Sequence, residues 1–97
     1  MVARGKAAPG KREAFLAAAR AVIGPTRGEA GCLSYRASQD VEDDHAFTFV
    51  EEWRDRAALE AHFQTPHVKA LFAALPGILA GPAEVKIHEV ARTEVTD

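Results

Sequence analysis

The chain has 97 residues, 47% of them hydrophobic and 27% charged, and a formal net charge of -2. That length allows one domain over residues 1–97, and the ordinary balance of apolar and charged residues excludes disorder as the default state. There is no basic surplus to attract nucleic acid, no second thiol beside Cys32 to form an intrachain disulfide, and no run resembling a signal peptide or approaching the roughly 20 apolar residues of a membrane span, a combination that suits a reducing cytoplasm.

Residues Val2 to Ala8 read as a short first strand, closed by the turn Pro9-Gly10. From Lys11 onward Phe15, Ala18, Ala19, Val22 and Ile23 recur at helical spacing. Gly24-Pro25 supplies a stop or a kink, and Thr26 to Gly31 can add a further turn. Cys32 to Gln39 is extended, with Leu33, Tyr35 and Ala37 expected on one face. The polar stretch from Asp40 to His45 has hairpin length and leads into Ala46 to Trp53, where alternation puts Phe47, Phe49, Glu51 and Trp53 on one face. Asp55 is the N-cap of a helix that turns Leu59, His62 and Phe63 to one side. Thr65-Pro66 starts a third helix through Leu75, striped by Val68, Leu71, Phe72 and Leu75. After Pro76-Gly77 and Gly81-Pro82, Val85 and Ile87 alternate with Glu84, Lys86 and His88 in a last strand.

The order β-α-β-β-α-α-β predicts an α+β, ferredoxin-like fold: an antiparallel sheet with helices on one face and the second helix split in two. A chain this short buries only about 60 to 65% of its unfolded surface. The natural cover for the other sheet face is a second copy, so a homodimer is expected.

Trp53 ends its strand on the face of Phe49 and Glu51, and His62 follows on the inner side of the next helix, so these residues can meet. Aromatic residues at strand period usually form core, and a histidine near an apolar helix face is more often a hydrogen-bonded core residue than a catalyst. Its chemistry is nonetheless apt, because an imidazole with an ordinary pKa near 6.5 can accept a phenolic or enolic proton at neutral pH. Glu51 and Glu52 are strand neighbours that point to opposite faces, which excludes a simple carboxylate dyad. His67 at a helix start suits capping or surface contact, and His45 and His88 should face solvent. His62 and His67 are five apart across a proline break, and no HExxH, CxxC or phosphate loop accompanies them. Neither a metal nor a nucleotide cofactor is expected.

Several words of the chain are recognisable together: Pro9-Gly10-Lys11-Arg12-Glu13-Ala14-Phe15, Glu29-Ala30-Gly31-Cys32-Leu33-Ser34-Tyr35, Phe49-Val50-Glu51-Glu52-Trp53, Ala58-Leu59-Glu60-Ala61-His62 and Thr65-Pro66-His67. In joint order and spacing they resemble the antibiotic biosynthesis monooxygenase family, also called quinol monooxygenase-like, over nearly the whole chain. The resemblance implies a dimeric α+β barrel with a small pocket in each subunit between sheet and helices. Some relatives oxygenate aromatic polyketides or quinols without metal, flavin or haem, while others isomerise, degrade haem or have no known activity. Relatives typically carry several more residues before Val2-Ala3-Arg4, so the first strand is expected to be clipped at its start.

Carried onto this chain, the resemblance implies His62 and Trp53 as catalytic residues, with Phe49, Tyr35, Glu51, His67 and Phe72 as substrate contacts. The partners would be a small aromatic molecule and molecular oxygen. Phe72 falls where haem-degrading relatives place an axial histidine, which disfavours that activity. Phe49 and Leu59 fall where polyketide-oxidising relatives place a polar amide or tyrosine, which points away from a large polyketide. Two other readings use the same pocket: an isomerase working through His62 and Tyr35 without oxygen, and a non-catalytic dimer that binds a small aromatic ligand.

Overall fold

The structure is a computed structural model that describes residues 1–96. In chain order it contains β1 (Val2–Lys6), α1 (Arg12–Arg27), β2 (Cys32–Gln39), β3 (Ala46–Trp53), α2 (Arg56–Phe63), α3 (Pro66–Ala74) and β4 (Glu84–Lys86), with a 3-10 turn at Leu75–Gly77. The strands form one antiparallel sheet in the order β2-β3-β1-β4. This is the ferredoxin-like order expected of two split β-α-β units, and α1 and α3 pack against one another over one sheet face.

The core follows from the two periodicities. Phe15, Ala19 and Val22 of α1 and Val68 of α3 are buried against Tyr35 of β2 and Phe47 and Phe49 of β3. Phe15 stacks on Phe47 with ring centroids 4.4 Å apart, and Phe49 meets Tyr35 edge-on at 5.7 Å. Burying each such aromatic contributes roughly 1.5 to 3 kcal/mol.

The expected closed barrel is not what this chain's sheet forms. The sheet is open: β2 and β4 are its edges, separated by β3 and β1, and four strands are too few to curl into contact with one another. The face away from the helices is also less in need of cover than expected. It carries Arg4, Lys6, Arg36 and Glu52 around a half-exposed Val50, and Arg4 reaches Glu84 across the strands at 3.9 Å. Such a polar face can remain solvated.

Three local expectations also change. Of the stop or kink expected at Gly24-Pro25, the stop does not occur: α1 runs on to Arg27. Pro25 forfeits one backbone bond, but only in the last turn, where the following Thr26 is fully buried and holds the helix against the core. In β2 the pairing passes from Cys32↔Trp53 directly to Ser34↔Glu52, so Leu33 is the extra residue of a bulge. Cys32 therefore joins Tyr35 and Ala37 on the core side, while Leu33 is 68% exposed. Finally, β4 is only three residues long, and Ile87 and His88 lie beyond it. Among the described residues no helix is long and apolar enough to cross a membrane.

Candidate active site

The site begins at the turn that follows α1. Gly28 and Glu29 donate their backbone N–H groups to Pro25 and Thr26, and Cys32 donates to the carbonyl of Glu29 at 3.1 Å. Gly31 then presses on the start of α2. A Cβ at this position would lie 2.2 Å from that of Ala58, and the Gly31 carbonyl accepts a bond from the Arg54 N–H at 2.9 Å. Only glycine permits so close an approach. The consequence is that the Glu29 carboxylate sits over α2.

On α2 the side chain of Asp55 caps the helix by accepting from the N–H of Ala58, which orients Leu59 and His62 inward. The helix ends at Phe63. Thr65 Oγ1 donates to the carbonyl of His62 at 2.7 Å and caps α3, whose Pro66 occupies its first turn. Positions five apart on one continuous helix would diverge by about 140°. The break at Gln64-Thr65 re-aims the chain, and the rings of His62 and His67 lie 6.1 Å apart. Both converge on one oxygen: Glu29 Oε2 is 2.7 Å from His62 Nδ1 and 2.9 Å from His67 Nε2. The tautomer that satisfies this contact donates from Nδ1 to the Glu29 oxygen and leaves Nε2 with its lone pair.

On the other side of His62, Nε2 is 3.8 Å from Glu51 Oε1 of β3. That oxygen also accepts from Trp53 Nε1 at 3.0 Å, and the indole lies against the imidazole with ring centroids 4.5 Å apart. Alternation along β3 thus delivers a hydrogen-bonded carboxylate and indole together to one histidine.

Glu51, His62 and Tyr35 line a cavity of about 250 Å³ between sheet and helices. The rest of its wall is almost wholly apolar, with Phe15, Phe49, Leu71, Phe72 and Val85 among the lining side chains. Phe72 is 48% exposed. This apolar setting governs the electrostatics. Burial pushes the Glu51 carboxyl up, against the opposing pull of the Trp53 hydrogen bond and the nearby His62. Burial, and then the charges of Glu51 and Glu29, push the Tyr35 phenol far above its ordinary range, so it stays a hydrogen-bond donor at any physiological pH. Burial, followed by the same two carboxylates, also raises the Cys32 thiol.

The residues expected from sequence divide by position. Tyr35, Phe49, Glu51, His62 and Phe72 line the cavity. Trp53 does not; it backs His62 and Glu51 and opens onto a second hollow bordered by the chain from Ile87 to Thr93. His67 lies outside the cavity lining, on the Glu29 side of His62. His88 is exposed as expected, whereas His45 is only partly so and is hydrogen-bonded to Asp44 at 2.7 Å. Glu29 received no role from sequence reasoning. The available signal was its place two residues before a glycine in a turn preceding a strand. Glu29, His62 and His67 also bring three potential metal-ligand atoms within 4.8 Å of one another.

Comparison with known proteins gives a consistent result. A family model described as antibiotic biosynthesis monooxygenase matches residues 1–74. The Synechocystis sp. protein sll1783 is 45% identical over 89 residues, covering 92% of this chain, and this chain spans 60% of that protein's length. The crystal structure of PA3566 from Pseudomonas aeruginosa superposes with a TM-score of 0.84 at 38% identity, covering 93% of this chain and 91% of that one. The crystal structure of an antibiotic biosynthesis monooxygenase superposes with a TM-score of 0.87 at 30% identity, covering 94% and 96% respectively.

Proposed function

The chain belongs to the antibiotic biosynthesis monooxygenase family, and from that premise we propose that it is a cofactor-independent monooxygenase acting on a small phenolic, quinol or enolisable aromatic substrate with O₂. The observation that carries the reading is His62: hydrogen-bonded to Glu29 through Nδ1, it lines an apolar cavity beside Glu51. An oriented base facing an apolar slot is what this chemistry asks of a protein.

In this mechanism His62 Nε2 takes the phenolic or enolic proton. The substrate anion passes one electron to O₂, giving a substrate radical and superoxide, whose recombination forms a carbon–oxygen bond. Protonation yields a hydroperoxide, which loses water to leave a carbonyl. One oxygen atom ends in the product and the other in water, and both reducing electrons come from the substrate. Phe49 and Phe72 would pack against the aromatic ring, and the Tyr35 hydroxyl would donate to a substrate oxygen. Trp53 would act from behind, holding Glu51 through Nε1 and flanking His62. A cavity of about 250 Å³ lies below the range typical of drug-sized ligands, which favours one- or two-ring substrates. Tyr35 and His62 line the same cavity with rings 5.6 Å apart, which supports a second reading as an isomerase in which His62 moves the proton and the phenol donates a hydrogen bond to the substrate oxygen.

The test is O₂ uptake by metal-stripped protein over a panel of quinols and anthrones. We expect uptake above the uncatalysed rate with at least one compound, reduced about 10²- to 10⁴-fold by His62→Ala, the range for loss of a general base. Turnover without O₂ consumption would select the isomerase, and no turnover with any compound would remove the oxygenase reading.

A further inference from the structure

Glu29, His62 and His67 stand out because three good ligand atoms converge from three different elements. Glu29 comes from the turn after α1, His62 from α2 and His67 from the first turn of α3. Two imidazole nitrogens and one carboxylate oxygen suit zinc, cobalt(II) and related divalent ions, and three protein ligands leave a position for water.

The distances fit. Donor atoms each about 2.1 Å from a metal lie about 3.0 to 3.4 Å apart for bond angles of 90 to 110°. The present separations of 2.7 and 2.9 Å need open by only a few tenths of an ångström. The side chains of His67 and Glu29 are 20% and 15% exposed, which gives them freedom to move and gives an ion access from the surface, while His62 anchors the inner end at 3%. Behind it, Glu51 faces the other imidazole nitrogen at 3.8 Å and is held in turn by Trp53. A carboxylate hydrogen-bonded to the far nitrogen of a ligating histidine is the usual outer support of such a centre, and Glu51 stands about 1 Å short of that contact.

We propose that Glu29, His62 and His67 form a binding site for a divalent ion of the zinc class, and that its occupation switches off the base at His62. The ion takes the place of the proton on Nδ1, so the neutral imidazole must carry its proton on Nε2, the nitrogen assigned to proton abstraction. The inhibitory part rests on the oxygenase reading, whereas binding does not. A second group, Asp43, Asp44 and His45, is a weaker candidate, because Asp43 is already engaged by the Lys6 ammonium at 2.9 Å and Asp44 is largely exposed. It serves as a control.

The experiment titrates tag-free protein with Co²⁺, followed by its visible absorption, and with Zn²⁺ by calorimetry. The expected result is one ion per chain. His67→Ala and Glu29→Gln should each weaken affinity at least tenfold with an unchanged circular dichroism spectrum, and His45→Ala should leave it as in the wild type. X-ray absorption of the wild-type zinc form needs no variant to fold. It should show two nitrogens and one or two oxygens at about 2.0 to 2.2 Å without sulfur. Absence of binding, loss of binding in His45→Ala, or an all-oxygen or sulfur-containing shell would overturn the site. With an oxidisable substrate in hand, Zn²⁺ should suppress O₂ uptake, a chelator should restore it, and His67→Ala should blunt the suppression. Uptake unchanged by bound Zn²⁺ would overturn the switch. Metal binding in a protein that oxidises no substrate would sink the oxygenase reading and leave the site standing.

Discussion

Glu51 shows how far a single residue can be read from its environment. Alternation along β3 already places it on the face of Phe49 and Trp53, and the structure adds that it is buried, accepts a bond from the indole and borders an apolar cavity. Burial raises its carboxyl from the ordinary 4.5, so the folded chain holds that proton more tightly than the unfolded chain does. Between the unfolded and the raised folded pKa the native state binds more protons, and stability contributed by this group is lost as pH rises through that window. Glu51→Gln keeps an oxygen for Trp53 and removes the titration. We expect it to gain thermal stability over the wild type at pH 7 and to show no gain near pH 4. Melting curves at several pH values check this, and a gain that grows toward acid would contradict the burial argument. The partner on the far side of His62 was less accessible to sequence reasoning. Glu29 is 33 residues from His62 in the chain, and no local period links a turn to a helix that distant.

At the level of elements, the signals that carried through were caps and alternation. Asp55 and Thr65 stand at the two helix starts because their side-chain oxygens satisfy backbone N–H groups that the helix itself cannot. The core face of β3 follows directly from its period of two. The β2 face did not follow, since one bulged residue exchanges Leu33 for Cys32, and a bulge is fixed by how β2 pairs with β3 and not by β2 alone. The turn before β2 carries the most specific prediction. A methyl group on Gly31 would meet Ala58 at 2.2 Å, so Gly31→Ala must push α2 away from the turn that holds Glu29. Overpacking of this kind costs about 1 to 3 kcal/mol. Urea unfolding should show that loss, together with weakened O₂ uptake, whereas Gly24→Ala, which meets nothing within 4 Å, should leave the site undisturbed.

Across the whole molecule the packed body ends with the sheet. The chain from Ile87 to Thr96 carries neither helix nor strand, and Val90 and Val95 are 70% and 89% exposed. Few buried contacts mean a low free energy of local opening. Limited trypsin digestion should therefore cut after Arg92 before any site within α1, α2 or α3, and the remaining body should keep its circular dichroism spectrum. Early cleavage inside α1 would show that the helical layer is looser than its burial implies. The open sheet is a property at the same scale. The strand order β2-β3-β1-β4 leaves two free edges, and the expectation of a closed barrel fails on that topology, not on any residue.

Local physics was enough to read the order of elements, the inward face of β3, two helix caps and the presence of His62, Glu51, Tyr35 and Phe49 on surfaces that look inward. Each of these depends on a period or a cap spanning a few residues. What the tertiary structure decided was convergence. The break between α2 and α3, treated in sequence as an obstacle to pairing His62 with His67, is the turn that aims both at Glu29. Trp53 and Phe49 share a strand face, yet one backs the histidine and the other lines the cavity. Such placements depend on how closely Gly31 lets a turn approach α2 and on where a bulge shifts β2. Those are contacts between segments distant in the chain, for which no local pattern carries the information.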